Sequence, residues 1–81
     1  MNHEATDSEI LAVWDALQRE WADARARIDR DGLVVADEKG RPVPHPALAI
    51  ERGASAEMSR WVAAVKRARA ALLTGGPRPP V

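Results

Sequence analysis

The sequence predicts an all-α protein, a helical hairpin of two long antiparallel helices joined by a stiff loop. Two long segments have apolar residues at spacings of three and four, as on one side of a helix. Between them lies a segment rich in glycine and proline, residues 32–45, which cannot continue either helix. The chain of 81 residues has room for one small domain. We therefore expect a single hairpin over residues 7–73.

The first helix is predicted over residues 7–31. Thr6 and Glu9 have the spacing of a capping box, in which each side chain accepts an N–H from the other residue's backbone. Gly32 is a natural cap at the C-terminal end. The apolar stripe has the seven-residue repeat of a coiled coil and consists of Ile10, Trp14, Leu17, Trp21, Ala24 and Ile28.

The second helix is predicted over residues 46–73. Pro46 suits the first helical position, where its missing N–H is not needed. His45 is then the N-cap, whose ring nitrogen accepts an amide N–H. Pro42 and Pro44 hold the chain extended as it approaches the helix. The apolar stripe of this helix consists of Ala47, Ile50, Ala54, Met58, Trp61, Val65, Ala68 and Leu72.

The loop over residues 32–45 is predicted to be extended or to form a short β-hairpin. Its first residues, Leu33 and Val34, are typical of a strand, and the segment from Asp37 to Gly40 is typical of a turn. Residues 1–6 are predicted to be disordered, and residues 74–81 form a flexible tail rich in proline and glycine.

The core of a single hairpin is expected to be too small to cover both apolar stripes. The chain has no cysteine, so disulfides are excluded, and its two histidines do not suggest a metal site. We therefore expect a homo-oligomer without metal or cofactor. The tryptophans either pack inside the hairpin or anchor a subunit interface. The residues expected to pack in the hairpin or the oligomer are Ile10, Trp14, Leu17, Trp21, Ile28, Ile50, Trp61, Val65 and Leu72.

Charge is distributed unevenly along a chain whose formal net charge is zero. Residues 1–40 hold ten acidic and five basic residues, a balance of −5, and residues 41–81 hold two acidic and seven basic residues, a balance of +5. The two halves either neutralise each other within the fold or leave a basic surface for nucleic acid. The candidate phosphate-binding residues are Arg60, Lys66, Arg67, Arg69 and Arg78. Alternatively, Lys66, Arg67 and Arg69 interact with the dipole of the second helix.

Motifs for catalysis are absent from the sequence, which indicates a protein that is not an enzyme. There is no GxxxxGK[ST] phosphate loop and no HExxH motif. The acidic residues around the loop, such as Asp31 and Asp37, are more typical of a helix end and a polar turn than of a metal site. No apolar run reaches the roughly 20 residues that cross a bilayer, and the N-terminal segment is unlike a signal peptide. We therefore expect a cytoplasmic protein with no membrane partner.

The segment WADARARIDRDGLVVADEKGRPVPHPALAIERGASAEMSRWVAAV, residues 21–65, resembles the P27-type family of small terminase subunits of tailed phages. The most specific part is the block G…D-x-x-G-x-x-x-x-H-P, formed by Gly32, Asp37, Gly40, His45 and Pro46. The resemblance, which covers about residues 7–72, implies a helical subunit that forms a ring of about eight or more copies. It also implies weak, salt-sensitive binding of double-stranded DNA and delivery of that DNA to the large terminase subunit, an ATPase and nuclease.

The chain departs from the family pattern after the second helix, where LLTGGPRPP replaces a Gly-Leu-Thr-Pro-x-x-Arg motif. It also begins almost at the first helix, where family members carry a further segment. Two interpretations follow: a compact packaging subunit of a phage, prophage or gene-transfer element, or a derived homologue that retains the assembly module. The alternative from a different class is a helical-hairpin module that binds or inhibits a protein partner and does not bind DNA. In the packaging interpretation, Pro44, His45 and Pro46 are expected to set the angle at which the second helix leaves the loop.

Overall fold

The computed structural model describes residues 5–74 and shows two helices joined by a small two-stranded sheet. Helix α1 spans Asp7–Asp31 and helix α2 spans Ala47–Leu73. Between them, strand β1 (Val34–Ala36) pairs antiparallel with strand β2 (Pro42–Pro44). The sheet reverses the chain, so that α2 packs back against α1. The predicted helical hairpin with a short β-hairpin between its helices is confirmed. The predictions of disorder at residues 1–4 and of a flexible tail at residues 75–81 lie outside the described residues, as does Arg78.

Local capping fixes both ends of α1. The Thr6 hydroxyl accepts the Glu9 N–H at 3.1 Å, and the Glu9 carboxylate accepts the Thr6 N–H at 3.4 Å, which completes the predicted capping box. At the other end, the Gly32 N–H donates to the Ile28 carbonyl at 2.7 Å. Gly32 has φ 88°, a conformation that favours glycine and ends the helix at the predicted residue.

Helix α2 starts at Ala47, one residue later than predicted. Pro46 already has helical dihedral angles, φ −56° and ψ −32°. The Ala47 N–H donates to Nδ1 of His45 at 2.9 Å, and the Leu48 N–H donates to the His45 carbonyl at 2.9 Å. The ring nitrogen of His45 therefore accepts an amide N–H of the first turn, as the sequence predicted, and its carbonyl accepts a second. The one-residue difference reflects where the regular hydrogen-bonding pattern begins.

The core between the helices is thin. Alanine accounts for most of its fully buried apolar side chains, which are Ala24, Ile28, Ala47, Ala54, Val65 and Ala68. Small side chains let two helices approach closely, but each contributes little apolar area to the free energy of folding. At the end next to the sheet, Ala24, Ile28 and Ala47 form one cluster, and Leu48 packs against it.

The inward face of α2 follows a stricter heptad than the sequence predicted. The side chain of Glu51 is 18% exposed and Ile50 is 41% exposed. Glu51 therefore lies closer than Ile50 to the seam, the line along which α1 and α2 pack together. Alternating spacings of four and three residues that start at Ala47 reach position 51 and not position 50. A repeat of this kind keeps the same face of a helix against its neighbour. Ile50 is therefore not packed inside the hairpin, and its predicted packing in an oligomer stays a prediction. The buried or half-buried residues on this repeat are Ala47, Glu51, Ala54, Met58, Trp61, Val65 and Ala68.

Leu72 and Trp21 are also exposed in the single chain, so their predicted packing in an oligomer likewise stays a prediction. Ile28 of α1 and Ala47 of α2 lie in one cluster. Because the helices are antiparallel, Asp7, the first residue of α1, is level with Ala68 of α2, each being 21 residues from that cluster. Leu72 therefore lies about a turn beyond the start of α1. Trp21 is 36% exposed although it lies on the heptad repeat of α1. Ile10, Trp14, Leu17 and Trp61 are half-buried, as side chains at the margin of a narrow seam are.

Candidate nucleic-acid interface

The four basic residues of α2 that were predicted to bind phosphate and lie within the described residues are all exposed. Arg60 pairs with Glu57, one turn earlier on the same helix, at 2.5 Å. Lys66, Arg67 and Arg69 are in none of the ion pairs found among residues 5–74. These three cations are therefore available to an external anion, while the charge of Arg60 is compensated within the chain.

The cations do not form a single row along α2. Successive residues of a helix are 100° apart, so Lys66 lies 100° to one side of the buried Val65. Arg67 lies 100° to the opposite side of the buried Ala68. Arg69 is three residues from Lys66 and shares its side of the helix. Lys66 and Arg67 thus lie on the outer half of α2, on either side of the line that faces away from α1. Arg69 is four residues from Val65, about 40° around the helix, and lies at the edge of the packed face.

The helix-dipole interpretation of these residues finds no support in the structure. Helix α2 continues to Leu73, and its last turn contains no basic residue. The interaction of a charge with the helix dipole falls off within the last turn. Lys66, Arg67 and Arg69 therefore project into solvent without a compensating carboxylate in their own helix end.

Ion pairs of both kinds connect the two halves of the chain, and Arg41–Asp37, at 3.0 Å, joins a base of the basic half to an acid of the acidic half. Among residues 5–74, an ion pair between the helices connects Arg25 of α1 to Glu51 of α2, at 3.6 Å. It thus links a base of the acidic half to an acid of the basic half. Because the helices are antiparallel, the first turn of α1, with Asp7 and Glu9, lies at the same end as the last turns of α2. The acidic start of α1 weakens the positive potential there.

His45 joins the end of α1 to the start of α2 and is 9% exposed. Its Nδ1 accepts the Ala47 N–H, so the proton of the neutral ring lies on Nε2, which donates to the Asp31 carboxylate at 3.0 Å. Two hydrogen bonds from Arg30 to Asp31, at 2.9 and 3.1 Å, and the His45 bond hold the pKa of Asp31 well below its usual range. Both nitrogens of His45 are engaged, so the ring has a structural role.

Asp37 organises the tip of the β-hairpin. Its carboxylate accepts the N–H groups of Arg41 and Lys39, each at 2.9 Å, and the Arg41 guanidinium at 3.0 Å. These bonds, the Arg41 N–H first, lower the pKa of Asp37. Gly40 has φ 78°, the left-handed conformation that a three-residue hairpin loop requires. The tip is thus a self-contained turn, and its carboxylate is already satisfied by the chain itself.

The three tryptophans do not share one role. Trp21 is exposed, Trp61 is half-buried, and Trp14 is half-buried with its indole N–H enclosed. Trp14 Nε1 finds no hydrogen-bond partner among residues 5–74. Core packing explains the position of Trp14 and Trp61, whereas the exposure of Trp21 suits an interface role. A heptad pattern places all three near the seam and cannot separate these roles.

Within residues 5–74, no group of three or more histidine, cysteine, aspartate or glutamate side chains is arranged to hold a metal ion. None of the helices described is long and apolar enough to cross a membrane. Comparison of the chain with models of protein families, with curated proteins and with solved structures finds no match. The basis for a function is therefore the geometry above together with the resemblance in the loop residues.

Proposed function

We propose that the chain is a DNA-packaging adaptor similar to a short small terminase subunit, without catalytic activity of its own. In this proposal it forms a homo-oligomer, a ring of about eight or more copies. The ring binds double-stranded DNA weakly and passes it to the large terminase subunit, which supplies ATPase and nuclease activity. Five residues carry the resemblance, and each has a defined part in the turn between the helices: Gly32, Asp37, Gly40, His45 and Pro46.

The observation that carries the DNA-binding part is the set of exposed cations Lys66, Arg67 and Arg69, which are in no ion pair within residues 5–74. Each cation that contacts a phosphate releases counterions, so binding through them weakens steeply as salt rises. The chain has no net charge, and the acids at the start of α1 oppose the cations. Both features favour a weak contact that becomes useful when many copies act together on one duplex.

Assembly is supported by the small core and by the apolar side chains that one chain leaves exposed. The fully buried apolar residues are mostly alanine, whereas Trp21, Ile50 and Leu72 remain in contact with solvent. A domain of this size gains stability when such surfaces are covered by further copies. Neighbouring hairpins in a ring would provide that cover.

The test is the salt dependence of binding to a short duplex, measured by fluorescence anisotropy. The variant Lys66→Ala/Arg67→Ala/Arg69→Ala should reduce the slope of log K against log salt by about 0.9 for each phosphate that is no longer neutralised. The control Arg19→Ala/Arg27→Ala/Lys39→Ala removes the same charge from exposed sites outside α2 and should keep more of the slope. Equal slopes for both variants and the parent chain would rule out the α2 cations as the groups that contact DNA.

The exposed apolar residues also favour a second candidate function, a module that binds or inhibits a protein partner without DNA. Trp21 and Ile50 are large apolar groups that a partner would cover. This alternative predicts a monomer or dimer that ignores duplex DNA at low salt. A substitution such as Trp21→Ala would then abolish binding of the partner and leave the mass of the free protein unchanged.

A further inference from the structure

The two strands of the β-hairpin present different outer edges. Residues opposite each other in an antiparallel pair alternate between hydrogen-bonded and non-hydrogen-bonded pairs. The His45 N–H donates to the Leu33 carbonyl at 2.8 Å, and the Asp37 N–H donates to the Arg41 carbonyl at 2.9 Å. The middle pair of the register, Val35–Val43, lies two residues along the strands from each of these pairs. Because the pair types alternate, it is also hydrogen-bonded. The backbone groups of the residues between them point outward, away from the partner strand.

The outward-pointing pairs are Val34–Pro44 and Ala36–Pro42. Proline has no N–H, so the outer edge of β2 offers carbonyls but no donor. The outer edge of β1 has both donors and acceptors, the N–H and carbonyl groups of Val34 and Ala36. Within the described residues, no third strand lies beside β1. The alternating prolines of this chain thus close one edge of the sheet and leave the other open.

We propose that the open edge of β1 pairs antiparallel with β1 of a second copy, so that two hairpins form one four-stranded sheet. In the register centred on Val35, each Val34 lies opposite Ala36 of the second copy. This register forms about four hydrogen bonds and uses every outward donor and acceptor of both strands. The proposal rests on the self-assembly in the proposed function and specifies a contact that two copies would make.

A second copy suits this edge better than an unlimited stack of strands does. Residues 33–36 carry no charge, so two copies place no like charges opposite each other. The pairing is isologous and buries the β1 edges of both copies at once. The outer strands of the resulting sheet are then the two β2 strands, whose prolines cannot donate to a further strand. The assembly at this edge therefore closes at two copies.

The exposed face of the β-hairpin carries apolar side chains next to the open edge of β1. Both strands have an exposed, half-buried, exposed pattern, and the exposed positions are Val34, Ala36, Pro42 and Pro44. All four side chains are apolar, and Val34 is 62% exposed. Pairing two β1 strands brings the Val34 and Ala36 side chains of both copies together on this face, which removes apolar surface from water.

Disulfide trapping tests the register directly, since the chain contains no cysteine. In the proposed sheet the two Val35 residues form a non-hydrogen-bonded pair, with Cα atoms about 4.5 Å apart. That separation is within the range that a disulfide bridges. The full-length variant Val35→Cys should form a covalent dimer under mild oxidation. The control Val62→Cys, at an exposed site on α2, should remain mostly reduced.

A second variant avoids any effect of the cysteine on folding. Ala36→Pro removes one outward N–H without removing a hydrogen bond inside the hairpin, as Pro42 and Pro44 already do in β2. The dimer then forms two fewer hydrogen bonds, so its Kd should rise by about tenfold to a hundredfold while the helical circular dichroism is retained. The matched control Pro42→Ala changes the opposite edge and should leave the β1 pairing intact.

The outcomes separate this inference from the proposed function. A large oligomer in which Val35→Cys does not crosslink and Ala36→Pro leaves the Kd unchanged would overturn the β1 pairing and leave the packaging role standing. A chain that is monomeric at all concentrations would overturn both. Crosslinking through Val35 together with weakening by Ala36→Pro would establish the sheet between copies.

Discussion

His45 connects two helices through the two nitrogens of one ring. Nδ1 accepts the Ala47 N–H and Nε2 donates to Asp31, so the ring ties the first turn of α2 to the last residue of α1. We expect His45→Ala to lower the free energy of unfolding by about 1–3 kcal/mol, because a buried amide loses its acceptor. Urea denaturation measures the loss. His45→Asn should recover part of it, since asparagine is a good N-cap. Equal stability of the alanine and parent proteins would contradict the capping role.

Asp31 makes the stability of the helical hairpin depend on pH in the acidic range. Its pKa is lowered in the folded chain, first by the hydrogen bonds from Arg30 and then by that from His45. A group whose folded pKa is depressed contributes stability above its unfolded pKa and loses it as the pH falls through the folded value. Stability should therefore fall below about pH 4, and Asp31→Asn should reduce that fall. Thermal melts across this range test it, with Asp29→Asn as the control. An Asp31→Asn protein with the full acid sensitivity of the parent would exclude Asp31 as a source.

At the scale of the element, the position of Glu51 in the seam of α2 makes a stabilising substitution predictable. Its side chain is mostly buried, and its partner Arg25 is 3.6 Å away and half-exposed, so their ion pair contributes little. Glu51→Leu should raise the free energy of unfolding by about 1 kcal/mol, because a leucine gains more from burial than the pair contributes. The control Ile50→Leu should change it little. A destabilised Glu51→Leu protein would show that the Arg25 pair specifies the packing.

The prolines around β2 are expected to stiffen the connection between sheet and helix. Pro44 lies in β2, and Pro46 has helical angles just before α2. Replacing both with alanine frees the unfolded chain and should cost about 0.4–1 kcal/mol for each residue. The variant should have a lower Tm and a smaller average mass in solution. Unchanged values of both quantities would show that the prolines do not fix the geometry of assembly.

Sequence patterns predicted the helices well because their ends depend on local chemistry. The capping box at Thr6 and the glycine at position 32 placed α1 correctly, and the loop between the helices was recognised from its turn residues. The inward face of α2 was predicted less well, because Ile50 is apolar and Glu51 is charged although the heptad selects Glu51. Polarity and periodicity conflicted there, and only the packing of α1 against α2 decides between them.

At the scale of the whole molecule, the hairpin separates its interaction surfaces. The sheet, with its open β1 edge, lies at the end where α1 stops and α2 starts. The exposed cations lie toward the opposite end of α2. Contacts between copies through the sheet would therefore leave Lys66, Arg67 and Arg69 uncovered. One chain can in this way join an assembly and still present cations to a duplex.

The absolute mass in solution is the quantity that most sharply tests this arrangement. The proposed function predicts a species of about eight or more copies by light scattering on a sizing column. A short duplex should co-elute with it at low salt and separate as salt rises, because the binding depends on released counterions. The Lys66→Ala/Arg67→Ala/Arg69→Ala variant should keep its mass and fail to retain the duplex. A parent protein that is a monomer or dimer and ignores the duplex at low salt would exclude the packaging role and favour the protein-binding module.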